Sequence, residues 1–184
     1  MIHPIKHFIT ITRHRHKVIR YSFKAGIGYL GLFHDLSKYS FTEFWNGAKY
    51  YSGIYSPNEN ERKKRGYSLA WMHHKGRNKH HFEYWTDIKN GYYQPVLIPI
   101  KYLKESLCDR LAASKIYLKK KYNSSSSYDY FMQKNTLEFM HELSGKVLMT
   151  WLLWIKELGE KTALKKIKKI KTYDDMKWDD NYEG

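Results

Sequence analysis

Apolar residues recur at helical spacing along most of this chain, and no alternating run is long enough to build a sheet. Val18, Ile19 and Phe23 mark a helix from about Thr12 to Phe23, and Leu103, Leu107, Leu111 and Leu118 mark a long one from about Ile100 to Tyr122. A strongly apolar stretch from Leu143 to Leu158, closed by Gly159, marks another. Gly26, Gly28 and Gly31 permit a tight reversal and close helix approach. Ser40-Phe-Thr-Glu43 has the form of a capping box, in which the serine oxygen and the glutamate carboxylate each accept from a free backbone amide. Ser56-Pro57-Asn58-Glu59 repeats that logic with proline at the first helical position, opening a helix expected to run through Leu69 to about His74 and stop at Gly76. A short helix from about Asn78 to Asp87 follows, Pro95 and Pro99 bracket a loop, and Ser124 to Ser127 read as a flexible polar linker. The fold class predicted is all-α. Residues 1–122 form a metal-binding helical core, and residues 123–184 add helices packing on the same domain with a charged tail. Trp45, Trp71 and Trp85 are expected in the core.

A length of 184 residues suits one domain with a proper core. Lys+Arg number 33 against 18 Asp+Glu, a formal charge of +15 that attracts polyanions without choosing among nucleotides, nucleic acid and anionic surfaces. The lysine run Lys165, Lys166, Lys168, Lys169 and Lys171, mixed with Asp174, Asp175, Asp179 and Asp180, reads as a solvated helix face before it reads as a nucleic-acid site. One cysteine, Cys108, excludes an internal disulfide and a thiolate zinc site, which points to a reducing, cytoplasmic setting. The basic start has no uninterrupted apolar core, and Val147 to Ile155 is too short to span a bilayer, so no membrane partner is expected.

The ten histidines concentrate in three places: His14 and His16, His34, and the run His73-His74-Lys75-Gly-Arg77-Asn-Lys79-His80-His81. With Asp35 and Asp109 they supply neutral imidazoles and ionised carboxylates, the donors a divalent cation takes at neutral pH. Two turns from His16 to a reversal near Gly26, and two turns back, would bring His16 level with His34 on a neighbouring helix; His14, on another face, fits that count less well. His73 and His74 cannot face one direction, since helical neighbours differ by about 100°. His74 is the preferred ligand of the two, and either His80 or His81 could join it. Asp109, among Leu107, Leu111 and Ala112, needs a metal or Arg110 to compensate its burial.

Gly31-Leu-Phe-His-Asp-Leu-Ser-Lys38 resembles the HD-domain signature, and a single His, then His-Asp, then paired His, then distant Asp109-Arg110 resembles the rest of that superfamily's pattern. More narrowly, KAGIGYLGLFHDLSKYSFTEFW, GYSLAWMHHKGRNKHHFEYW and CDRLAASKIY look like the shared blocks of an uncharacterised HD-like family of bacteria and phages, over roughly residues 13 to 122. The resemblance implies an HD-domain-like helical bundle with His16, His34, Asp35 and Asp109 around one divalent ion (Mn, Mg, Fe, Co, Ni or Zn). Asp35 would bridge to a second ion held by His74 and His80 or His81. It also implies a metal-dependent phosphohydrolase that directs a metal-activated hydroxide at the phosphorus of a phosphomonoester or phosphodiester, in a nucleotide or related small molecule. Lys38 would neutralise a phosphate oxygen, with Lys75, Arg77, Lys79 and Arg110 placed to hold further phosphate charge. The His16–His34 interval is shorter than in most HD proteins, and the paired histidines lie closer together, so the four-ligand site is the firmer expectation. Two other readings use the same residues. A six-ligand di-iron oxygenase would share the donor set, and a basic helical domain that binds nucleic acid would keep a degenerate or structural site.

Overall fold

The computed structural model describes residues 2–176, so Asp179 and Asp180 of the charged tail lie outside the described residues. The described chain is mainly helical, with eight α-helices and one small hairpin. It runs α1 (Pro4–Ala25), α2 (Gly28–Phe33), α3 (Phe41–Lys49), α4 (Pro57–Arg65), α5 (Leu69–Lys75), β1 (Thr86–Lys89), β2 (Tyr92–Pro95), α6 (Ile100–Leu118), α7 (Ser126–Gln133) and α8 (Glu142–Lys169).

Helix α1 begins about two turns earlier than its apolar spacing suggests, with Pro4 at its first position, where a missing N–H costs nothing. It buries His7, Ile11, His14, Val18, Tyr21 and Ala25 on one stripe, whereas Phe23 faces solvent. The helix ends at Gly26 in the left-handed region (φ 79°), and the chain doubles back at once into α2. There Gly31 is demanded by packing: an added Cβ would lie 2.6 Å from Ser22 Cβ and 3.2 Å from the Ile19 Cα.

The core joins α1, α6 and α8. Val18 and Tyr21 meet Leu103, Leu107 and Leu111, and both groups meet Val147, Trp151, Leu152 and Ile155. Trp151 is fully buried, a side chain whose truncation typically costs about 3–5 kcal/mol. Helix α8 bends at Gly159 (φ 72°) and continues to Lys169, with Ala163, Leu164 and Ile167 inward and Lys165, Lys166, Lys168 and Lys169 outward. Lys104 is also enclosed, its ammonium donating to the carbonyls of Ala25 and Lys168 at the ends of α1 and α8. Burial pushes its pKa down to about 8, and the two carbonyls, each at a negative helix end, compensate the charge.

Several expected elements are redrawn. The helix opened at Pro57 stops at Gly66 (φ 81°), and Ser68 caps a new one by accepting from the Trp71 N–H. Buried Glu61 holds that corner, accepting from the Ser68 hydroxyl at 2.7 Å. In place of a helix over 78–87 the chain makes a short 3₁₀ turn (Phe82–Tyr84) and an antiparallel hairpin pairing Thr86 with Pro95 and Lys89 with Tyr92. Asn90 and Gly91, both at positive φ, form the tight turn that suits the twist of such a ribbon. The serine stretch is no free linker either: Asn123 Oδ1 accepts from Ser125 and Ser126, and α7 begins there. Of the tryptophans expected inside, Trp85 packs on the core, Trp71 is half-buried, and Trp45 is largely exposed because it lies on the outer face of α3.

The α1–α2 contact admits one clear check. Gly31→Ala should destabilise the fold by about 1–3 kcal/mol, the usual cost of overpacking, as read from urea unfolding. An unchanged midpoint would mean that the two helices are not held this closely.

Candidate metal centre

The site is assembled from the ends and inner faces of four helices. Chain geometry at the end of α2 makes it: the helix stops at Phe33, His34 is extended, and Asp35 takes a left-handed conformation (φ 55°) that aspartate tolerates better than most residues. This step leaves both side chains buried, His34 at 1% and Asp35 at 2% exposure. Helix α1 contributes His14, α5 contributes His74, the turn after α5 contributes His80 and His81, and α6 contributes Glu105 and Asp109.

Asp35 stands between two sets of donors. Its Oδ2 lies 3.2 Å from His34 Nε2 and 3.8 Å from His14 Nε2, and His14 Nε2 lies 2.9 Å from Asp109 Oδ1. Its Oδ1 lies 3.2 Å from His74 Nε2 and 3.5 Å from His80 Nε2. His14, His34, Asp35 and Asp109 form one group able to hold a cation, and Asp35, His74, His80 and His81 form a second. The Nε2 atoms of His14, His34, His74, His80 and His81 and both oxygens of Asp35 are buried without a hydrogen-bond partner. Leaving so many buried polar atoms unpaired is costly unless something they all face completes them. An ion in each group would do so, and the nitrogen and oxygen donors suit a first-row divalent cation.

The opposite ring edges are anchored. Glu105 Oε1 lies 2.9 Å from His34 Nδ1 and 3.4 Å from His80 Nδ1. Glu43 places one oxygen 2.6 Å from His73 Nδ1 and the other 2.8 Å from His74 Nδ1. With Nδ1–H donating to a carboxylate, each Nε2 keeps its lone pair for the site, an arrangement typical around metal-binding histidines. Both glutamates went unrecognised in the sequence. Glu105 was legible, since it stands one turn before Asp109 on the same face of α6. Glu43 fitted the capping pattern only in part: its backbone N–H donates to Ser40 Oγ at 3.4 Å, but its carboxylate turns to the histidines.

One expected ligand is wrong. His16 is exposed and lies beside Arg13, Lys17 and Arg20 on the outer side of α1, whereas His14 occupies the inner stripe and reaches Asp109. Two helical residues separate by about 200°, so only one of the pair can point inward. The expected His34, Asp35, His74, His80 and Asp109 do come together, and His81 joins the second group.

The phosphate-binding residues divide. Lys38 approaches Asp35 Oδ2 to 2.5 Å. Arg77 is exposed and donates to the His73 carbonyl, outside the cluster, and Lys79 is exposed with its ammonium toward the rings of Tyr84 and Tyr102. Arg110 packs over the Phe131 ring, since it is one helical position round from Asp109. Half-buried Lys75 has no ion pair with the cluster among the described residues.

Residues 3–152, which take in every one of these ligands, match the family of unknown function DUF5662. The chain belongs to that family. Neither the curated proteins nor the solved structures gave a match. In this DUF5662 member no helix among the described residues is long and apolar enough to cross a membrane.

Electrostatics keep the carboxylates ionised. Burial opposes the charge on Asp35, but His34, Lys38 and His74 hold it well below the usual carboxylate range, and His14 and His34 do the same for Asp109. Burial likewise opposes imidazolium at His34 and His74, yet Asp35 and the backing glutamates raise both. Burial lowers His14, and His81 lies lower still, with His80 and His74 adding to the effect. Without a cation, then, protons on His34 and His74 offset the negative charge. Because their folded pKa values are raised, that stabilisation is present below about 6.5 and lost as pH rises through the folded values. A divalent ion must displace those protons. The Mn²⁺-induced rise in melting temperature should therefore be larger at pH 8 than at pH 6. His14→Ala should remove most of it, while His16→Ala keeps it. A variant at 16 that loses the Mn²⁺ response, with one at 14 that retains it, would reverse the assignment.

Proposed function

We propose that the protein is a metal-dependent phosphohydrolase, acting on a phosphomonoester or phosphodiester of a nucleotide or related small molecule with divalent ions held on either side of Asp35. The observation that carries this reading is the pair of unpartnered donor groups sharing one buried carboxylate. His14, His34 and Asp109 would hold one ion and His74, His80 and His81 the other, with Asp35 common to both. Imidazole-rich donors favour Mn, Fe, Co, Ni or Zn over Mg, which takes mostly oxygen ligands. Such ions supply Lewis acidity and acidify a bound water to near neutrality.

The protein's own part is positioning and charge. Lys38 is about a quarter exposed, so it borders the opening, and Asp35 and Asp109 raise its pKa well above the ordinary lysine value against the pull of burial. It stays charged at every working pH. That makes it a poor proton donor and a good fixed partner for a phosphate oxygen. Glu105 and Glu43 hold the imidazoles so that little reorganisation is needed when substrate arrives.

The test is phosphate release from p-nitrophenyl phosphate and a panel of nucleotides and sugar phosphates, with Mn²⁺ added. Asp35→Ala should abolish turnover, and Lys38→Ala should lower kcat by about 10²–10³, as loss of one charge-stabilising donor commonly does. A Mn-loaded wild type that hydrolyses none of the panel, or an Fe(II)-loaded one that consumes oxygen instead, would overturn the reading.

A further inference from the structure

Helix α1 carries three parallel rows of side chains, each with a 4-3-4-3-4 spacing and each offset from the next by one residue. His7, Ile11, His14, Val18, Tyr21 and Ala25 form the buried row. Lys6, Thr10, Arg13, Lys17, Arg20 and Lys24 form the second, about 100° round the helix from the first. All of these but Thr10 are cationic, and the row extends over about 27 Å. The third row, about 100° further round, holds Ile5, Ile9 and Phe23, which are 74%, 41% and 59% exposed, with exposed His16 among them.

The basic row is not neutralised. Helix α1 contains no aspartate or glutamate. In the first 58 residues the only acids are Asp35 and Glu43, both buried and both committed to the metal centre. Elsewhere cations pair with acids: Lys63 with Glu59, Arg65 with Glu61, Lys115 with Glu160 and Lys156 with Asp129. Among the described residues the cations of this row make no ion pair, and Lys24 lies over the Tyr21 ring. Glu160, which accepts from Tyr21 on the buried row, is already held by Lys115 and Tyr122. Like charges three and four residues apart repel, so the row opposes its own helix unless an anion lies across it. Arg13, His16, Lys17 and Arg20 line one shallow hollow, which brings the two outer rows together at mid-helix.

The flanks of the row define its occupant. A phosphodiester chain satisfies the cations, and the exposed apolar row beside them offers a surface to flat bases. In a duplex those bases are stacked and paired, out of reach of Ile5, Ile9 and Phe23. An anionic bilayer favours an apolar row with cations on both sides. Here the far side holds Phe8, packed on Tyr39, and Arg15, which donates to the Leu32 carbonyl. A second copy of the chain would bring a surface of the same sign, at a formal charge of +15 each. Thr10 of the basic row and His7 of the buried row also line a narrow cleft shared with Lys38 and His74, so a strand on α1 passes beside the metal centre.

We propose that this flank of α1 binds single-stranded nucleic acid, with phosphates on Lys6, Arg13, Lys17, Arg20 and Lys24 and bases against Ile5, Ile9, His16 and Phe23. The proposal goes beyond the phosphohydrolase reading and does not rest on it.

Fluorescence anisotropy with a labelled oligothymidine tests the surface. Binding should survive EDTA, since it does not use the metal centre. Raising salt from 50 to 200 mM should weaken it about 50- to 130-fold, as expected when four or five phosphates of a single strand are neutralised. The combined variant Arg13→Gln, Lys17→Gln, Arg20→Gln should bind at least tenfold more weakly at 50 mM salt, with the logarithmic salt slope shallower by about 2. Lys161→Gln, Lys165→Gln, Lys169→Gln removes the same charge from the exposed face of α8 and should cost less than threefold. Phe23→Leu keeps the apolar contact but removes the ring, and should cost at least threefold for the single strand. All seven positions are exposed or half-buried, and unchanged circular dichroism verifies folding. A duplex of equal length should bind more weakly than the single strand, and phosphatidylglycerol vesicles at equal phosphate should not displace it. Equal losses from the two triple variants, an unaffected Phe23→Leu chain, tighter duplex binding, displacement by the vesicles or loss of binding in EDTA would overturn the proposal and leave the hydrolase reading untouched.

Discussion

A carboxylate buried to 2% exposure, with neither oxygen properly hydrogen-bonded, is the constraint around which this fold is arranged. An ionised carboxylate in such a place is expensive unless compensated. Compensation here comes from the Lys38 ammonium and the imidazoles of His34 and His74, drawn from separate parts of the chain. Asp35 adopts a left-handed backbone at the end of a short helix, which costs about 1–2 kcal/mol for a residue with a Cβ. The surrounding packing holds that conformation in place. Gly31 lets α2 lie directly on α1, the fully buried face of α6 brings up Glu105 and Asp109, and α8 closes the core behind them.

Those layers have different duties. Helix α8 and its buried Trp151 contribute apolar burial and stand away from the donors, whereas α1 and α6 serve both the core and the site. On α1 one stripe carries His7 and His14 along with Ile11, Val18, Tyr21 and Ala25. The stripe is therefore core below, metal donor in the middle and cleft wall above. This continuity implies that substitutions at the apolar members will disturb site geometry as well as stability.

Much of this was legible in the residues, and the failures have particular causes. His34-Asp35 with Lys38, His74, His80 and Asp109 converge as their spacing and the HD-like signature suggested. The error at His16 came from choosing Val18, Ile19 and Phe23 as the inward face. The spacing 7, 11, 14, 18, 21, 25 is an equally good helical stripe and is the buried one, which places His14 inside. Counting turns also assumed that α2 runs straight to His34, whereas the chain leaves the helix at Phe33. The hairpin was signalled by Asn90-Gly91 but its strands are short and exposed, so no alternation advertised them. Glu43 was hidden by a local pattern that explained it adequately, and only the tertiary approach of α5 reveals its second duty.

Crystals soaked in Mn²⁺ and measured near the manganese absorption edge address the central claim most directly. Two anomalous peaks should appear, one against each oxygen of Asp35, the first among His14, His34 and Asp109 and the second among His74, His80 and His81. A map with no peak at Asp35, or with the cation at His16 on the outer face of the first helix, would contradict the account.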